Sequence, residues 1–259
     1  FATEAIDPYV ETMERDDVFP VEVIDVAEEY GILELLRDEQ YGGHDVDFLT
    51  YSRALERISE ISCALGETIG HHAMTTMGIE RFGTPEQKER YLGETESVGS
   101  LMLSEPGAGS SPSDLEAVAQ ADGDHFIING TKRFCTNASF ADVCVVVARK
   151  KPTPPDSHGV SAFLVPGVAN TDGLRFDRMK FMGMRGHITG DAHFDDVRVP
   201  KDALLGDVGD GFKIAMSNID LGRTGLAVMA TGVARSAFDL AIDYATDREQ
   251  GGSPIGEYQ

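Results

Sequence analysis

The side chains best placed for chemistry lie in three short segments of the 259-residue chain. The first is Leu101-Met102-Leu103-Ser104-Glu105-Pro106-Gly107-Ala108-Gly109-Ser110-Ser111, an apolar strand running into Ser-Glu-Pro and then a Gly-Ala-Gly-Ser loop. Gly107 and Gly109 free the backbone for close approach, and Ser104 and Ser110 bring hydroxyls near exposed N–H groups. That combination suits a bound polar ring system or a phosphate. The second is Gly130-Thr131-Lys132-Arg133-Phe134-Cys135-Thr136-Asn137-Ala138, and the third Asp220-Leu221-Gly222-Arg223. As a bare pair three residues apart, Asp220 and Arg223 read as a helix salt bridge. Other chemistries find no support. The histidines form no HExxH, and His71 and His72, adjacent on a helix, point roughly 100° apart, which suits structural roles better than one shared ion. There is no Gly-x-Ser-x-Gly elbow, and Cys135 has no base beside it. The Gly-rich loop is not a dinucleotide fingerprint, because no helix opens behind it within a βαβ unit.

The elements that must carry these segments follow from periodicity. Val23, Val26, Ala27 and Tyr30 recur at helical spacing before Gly31, a C-terminal cap. From Phe48 to about Phe82, Leu55, Ile58, Ile61, Leu65, Ile69 and Met77 continue the helical pattern, with Gly66, Gly70 and Gly78 marking helix ends or close packing. Thr84-Pro85-Glu86-Gln87 is a capping box. Near Ser97 the texture turns to β. Residues 116–121, 125–128 and 131–135 read as short strands turning at Gly123 and at Asn129-Gly130. Val143–Ala148 and Val160–Val165 are β-branched runs flanking a Pro-rich surface loop at 150–155, and Thr189–Phe194 alternates loosely. After Gly209-Asp210-Gly211 the helical period returns and runs to about Arg248. The expected fold class is α+β and multidomain: a helical domain over 1–96, a central antiparallel β-domain over 97–209, and the start of a helical bundle over 210–259. Interleaved βα units are absent, so a doubly wound sheet is not expected.

Composition narrows the function further. Hydrophobic residues at 41% and charged residues at 25% describe a folded chain. The net charge of −22 argues against a nucleic-acid partner, since phosphate contacts need clustered Lys and Arg. Acid is spread along the whole chain while Lys occurs at only seven positions, a solvated shell of the kind expected in a salt-rich cytoplasm. Cys63, Cys135 and Cys144, odd in number and far apart, read as reduced cytoplasmic thiols. No membrane insertion is expected, as no apolar run reaches spanning length. The chain opens at Phe1 and stops at Gln259 just past a Gly/Pro turn, and reads as a fragment.

Taken together, Leu101–Ser110, Gly130–Ala138, Met182-Gly183-Met184-Arg185-Gly186-His187 and Asp220–Arg223, in that order, resemble the acyl-CoA dehydrogenase family. Phe82-Gly83-Thr84-Pro85-Glu86-Gln87-Lys88 is a further match. The resemblance covers nearly the whole chain. It implies an FAD cofactor held between a helical, a β and a second helical domain, and an acyl-CoA substrate. A carboxylate removes the α-proton while the β-hydrogen leaves as hydride to the flavin. Electrons pass to an electron-transfer flavoprotein, and family habit is a homotetramer. By position, the resemblance places Leu101, Leu103, Ser104, Gly109, Ser110, Phe134, Cys135 and Thr136 at the cofactor, with Phe134 standing where the family usually has Trp. It places Ser110, Asp220 and Arg223 at the substrate. The loop departs from the family in carrying Ser111-Pro112-Ser113-Asp114 where Asp usually follows Gly-Ser. Some members carry the catalytic Glu where this chain has Gly222, and most carry it in the C-terminal domain, beyond Gln259. No base is therefore assigned, and Glu105 is expected to support the loop. Two alternatives stand beside this one: an acyl-CoA oxidase on the same scaffold, and a non-catalytic acyl-CoA-binding protein.

Overall fold

The computed structural model describes residues 2–93, 98–111, 114–151 and 159–258. The succession helical, β, helical is as expected. A domain boundary at 96/97 and most of the Pro-rich loop fall outside the described residues. Helices α1 (Asp7–Asp16) and α2 (Glu22–Glu29) lead into α3 (Phe48–Ile61) and α4 (Cys63–Phe82). The helical pattern from Phe48 onward breaks at Ser62, whose extended backbone ends α3 and whose Oγ accepts from Leu65 N at 3.3 Å to cap α4. Asp47 caps α3 by accepting from Leu49 N and Thr50 N. The Thr84/Gln87 capping box forms, but the helix it opens, α5 (Pro85–Lys88), is a single turn. Gly66 and Gly78 do not end helices. They lie inside α4, where an added Cβ would strike Ser59 at the first and Asn218 at the second, so they let α3 and a later helix approach closely.

The β region is one eight-stranded sheet built on β4 (Val143–Lys151). β5 (Val160–Pro166) pairs antiparallel along one side of β4, while β1 (Gly99–Met102) and β2 (Val118–Asp122) pair parallel along the other. The sheet is thus mixed, a correction to the antiparallel expectation. Strands that follow each other as hairpins are antiparallel, but β1 reaches β4 by a long excursion and arrives in the same direction. β2 and β3 (His125–Lys132) form the expected hairpin, with Gly123 at φ +55 in its turn. No second turn occurs at Asn129-Gly130. β3 runs on to Lys132 through a bulge, where Gly130 adopts φ +141 and an added Cβ would meet Ala117. β6 (Leu174–Arg178), β7 (Gly190–Pro200) and β8 (Leu204–Leu205) complete the sheet. One face of it packs Cys144, Val146, Phe163 and Phe126 into a core; the other packs Val143, Val145 and Val147 against Met74, Ile214 and Ala215 of the helices.

Helix α6 (Gly211–Asp247) is 37 residues long. By length and composition it is apolar enough to cross a bilayer, which the sequence expectation missed because its Ala and Gly residues are interspersed with polar ones. Its buried Gly225, Met229 and Gly232, together with an Arg235–Glu56 ion pair at 2.8 Å, fasten it to α3 and α4, whereas Phe238, Leu240 and Tyr244 are exposed. The three cysteines are free thiols.

Candidate cofactor and substrate site

The first two chemistry-bearing segments, read separately in the sequence, lie side by side. Ser100 Oγ donates to Thr136 O (2.7 Å), Lys132 Nζ to Leu103 O (3.0 Å), and Arg133 N to Ser104 O (2.7 Å). Lys132 is fully buried and also donates to Glu105 Oε1 at 2.5 Å. Burial pushes the Lys132 pKa down, and the Glu105 carboxylate opposes that push. Glu105 also accepts from Glu116 N (2.6 Å) and Ala117 N (3.1 Å), and its own backbone closes a tight turn with Ala108. Every role of this carboxylate is therefore structural: it anchors the Gly/Ser loop and leaves Gly107, Gly109 and Ser110 exposed. Asp114 N donates to Ser111 O at 3.1 Å across residues 112–113, which lie outside the described residues.

Phe134 is the unusual residue of this seam. It sits at φ +58, a conformation costly for an aromatic side chain, and is 57% exposed. The bonds flanking it, Arg133 N to Ser104 O and Cys135 N to Gly190 O (2.8 Å), hold it there, and Arg133 is further fixed by Asp191 at 2.8 Å. The ring is thus held outward, its apolar face open to solvent, at the end of a hydrogen-bonded seam. Its neighbours turn the other way. Cys135 is buried in the sheet core, where burial drives its thiol up to about 12, and the Thr136 hydroxyl meets Thr189 Oγ1 at 2.5 Å in the interior. Leu101 and Leu103 are buried between the sheet and the helices. Of the residues expected at the cofactor, Ser104, Gly109, Ser110 and Phe134 therefore reach the surface, and Leu101, Leu103, Cys135 and Thr136 form the frame behind them.

Two histidines tie this frame to α4. His72 Nδ1 accepts from Gly99 N (3.2 Å), so its Nε2 carries the proton and donates to Leu33 O (3.0 Å). His71 Nε2 accepts from Leu101 N (3.0 Å), which leaves its Nδ1 proton facing Glu67 at 4.0 Å. Burial holds both neutral, His72 down to about 4 and His71 down to about 3. The two rings do point apart, as their adjacency predicted, and both serve strand β1. Among the described residues, no group of three or more His, Cys, Asp or Glu gathers to hold a metal.

On the far side of His71 lies a cavity of about 220 Å³ between α3, α4 and α6, walled by Met74, Ile219, Leu221 and Met229. Arg223 lines it while pairing with Asp220 at 2.8 Å, both side chains largely exposed. Gly222 lines it too, and an added Cβ there would meet Met74 Sδ at 2.7 Å. Two lining residues escaped sequence reasoning. Burial pushes the Glu67 carboxyl up to about 7, and the buried Tyr51 hydroxyl has no hydrogen-bond partner. The available signal was an acid set between Gly66 and Gly70, two residues that allow close helix packing.

Residues 1–97, 100–197 and 209–259 match the N-terminal, middle and C-terminal domains of acyl-CoA dehydrogenases. The acyl-CoA dehydrogenase of Bacillus subtilis (strain 168) is 38% identical, over 100% of this chain and 69% of its own length. The chain belongs to the acyl-CoA dehydrogenase family. The mitochondrial short-chain specific acyl-CoA dehydrogenase of Homo sapiens is 36% identical over 100% of this chain and 63% of its own. A chain solved in work on the electron transferring flavoprotein of Acidaminococcus fermentans superposes with TM-score 0.95 at 36% identity, covering 100% of this chain and 68% of that one. The chain thus spans between 63% and 69% of the length of these relatives. FAD is the cofactor of an acyl-CoA dehydrogenase, and the seam fits it: Phe134 offers a ring face, and nothing stands within 4 Å of where a Cβ would lie on Gly107 or Gly109.

Proposed function

We propose that the protein is an FAD-dependent acyl-CoA dehydrogenase that converts an acyl-CoA thioester to its trans-2-enoyl-CoA and passes the electrons to an electron-transfer flavoprotein. One observation carries the reading: the surface carrying Phe134 and the cavity between α4 and α6 share strand β1, joined through the bond from Leu101 N to His71. That is the juxtaposition which dehydrogenation needs, with a flat redox ring on one side of the acyl chain's first carbons and an apolar slot for the rest. When bound, FAD supplies the two-electron sink for the β-hydrogen. The chain's own residues orient and enclose. The Lys132–Glu105 pair fixes the Gly/Ser loop, and Met74, Ile219 and Leu221 exclude water from the slot; Ser110 and the Asp220–Arg223 pair are the residues assigned in this reading to the CoA ester. Gly222 supplies no base at its position, and the carboxylate of Glu105 is fully engaged. The test is anaerobic addition of butyryl-CoA to the full-length, FAD-loaded protein. Bleaching of the flavin's visible band, with re-oxidation by electron-transfer flavoprotein, supports the proposal. An unreduced flavin contradicts it, and rapid peroxide release in air replaces it with the oxidase.

A further inference from the structure

The cavity's polar groups have no counterpart in a plain alkyl substrate. Tyr51 lines the cavity and is 3% exposed, and its buried hydroxyl has no partner. Glu67 lines the same cavity from α4, with His71 Nδ1 as its neighbour at 4.0 Å. Around them the wall is apolar, and at about 220 Å³ the space is smaller than an ordinary ligand pocket. Buried polar groups in an apolar slot are matched by a ligand or by trapped water, and here two of them lie together.

We propose that Tyr51 and Glu67 form a recognition point for the acyl tail, and that the preferred substrate is a short acyl-CoA carrying a hydroxyl group on that tail. This rests on the acyl-CoA reading above. A hydroxyl suits both groups at once, since it accepts from the Tyr51 O–H and donates to a Glu67 oxygen. A carboxylate tail would meet Glu67 with no buried cation at hand: His71 is neutral, and Arg223, at the cavity's rim, is largely exposed and already paired with Asp220. An ammonium tail would surrender its hydration to a single acid that burial disfavours ionising. An alkyl tail would leave the phenol and the carboxyl desolvated and unmatched.

The experiment measures binding of 2-enoyl-CoAs, which cannot reduce the flavin, to the oxidised full-length holoenzyme by titration calorimetry. The 4-, 5- and 6-hydroxy-2-enoyl-CoAs are compared with their unsubstituted counterparts. At least one hydroxylated ligand should bind about tenfold tighter or better than its alkyl partner. In Tyr51→Phe that ratio should fall several-fold while flavin content and melting temperature hold. Equal or tighter alkyl binding in the wild-type protein overturns the inference and leaves water as the cavity's polar occupant, as does a ratio unchanged in Tyr51→Phe. If Glu67→Gln abolishes flavin reduction by butyryl-CoA while leaving both the ratio and enoyl-CoA binding intact, Glu67 acts on the proton and not on the tail, and the inference fails. Failure of every thioester to bind would instead sink the acyl-CoA reading itself.

Discussion

The seam between β1 and residues 132–136 and the cavity between α4 and α6 are neighbours built on opposite terms. At the seam the buried polar groups are matched: Lys132 is held by Leu103 and Glu105, Glu105 by two further backbone N–H groups, Ser100 by Thr136, and Thr136 by Thr189. In the cavity, Tyr51 is unmatched and Glu67 faces open space. His71 stands between them, one nitrogen bonded into the seam and the other turned to Glu67. A seat that must hold a cofactor in fixed geometry gains from satisfied, rigid hydrogen bonding. A slot that must choose among ligands leaves its polar groups for the ligand to satisfy.

Breaking the seam should therefore cost far more stability than altering the cavity. Lys132→Met leaves the Glu105 carboxylate buried without its cation, and should lower unfolding free energy by about 3–5 kcal/mol and abolish FAD retention. Tyr51→Phe, read on the same denaturant curves, should change it by less than about 1 kcal/mol. Equal losses in the two variants would erase the distinction between the two regions. Acid should weaken the seam next. Buried His71 and His72 are held down to about 3 and 4 by burial, against an ordinary value of 6.5. Below that value the unfolded chain takes up protons that the folded chain refuses, so their contribution is complete above it and drains as pH falls toward 4. Melting temperatures that stay flat from neutral pH to pH 4 would contradict this. The cavity has the opposite sign. Glu67 is raised from 4.5 to about 7, so its contribution is complete below 4.5 and is lost as pH rises through 7. Glu67→Gln should remove that alkaline decline and leave the acid one intact. The smallest effect concerns neither region: with a net charge of −22, added salt should raise the melting temperature by screening self-repulsion, and salt-indifferent melting would refute the salt-rich setting proposed for this protein.

Much of the frame was legible in the sequence because it rests on local rules. The Thr84/Gln87 box, the Gly123 hairpin, the Gly31 cap and the long period of α6 all formed where their residue patterns placed them. The pairing of Leu101–Ser110 with Gly130–Ala138 was legible only through resemblance, since no local rule joins segments so far apart. Side-chain directions after Phe134 were not legible at all. Left-handed backbone at Phe134 and Asn137 breaks the strand alternation, so Cys135 and Thr136 turn inward. The cavity was missed for a similar reason. Glu67 is an ordinary acid by periodicity, and only the return of α6, packed close through Gly225 and Gly232, buries it opposite Tyr51.

The claim on which all else depends is that the exposed ring of Phe134 is a seat for flavin. It is tested most directly by titrating FAD into the full-length apoprotein of the wild type and of Phe134→Ser, following the quenching of flavin fluorescence. The account predicts FAD binding at least about tenfold weaker in the variant, ~1.4 kcal/mol, with apoprotein melting unchanged. Unchanged FAD affinity in Phe134→Ser would contradict it.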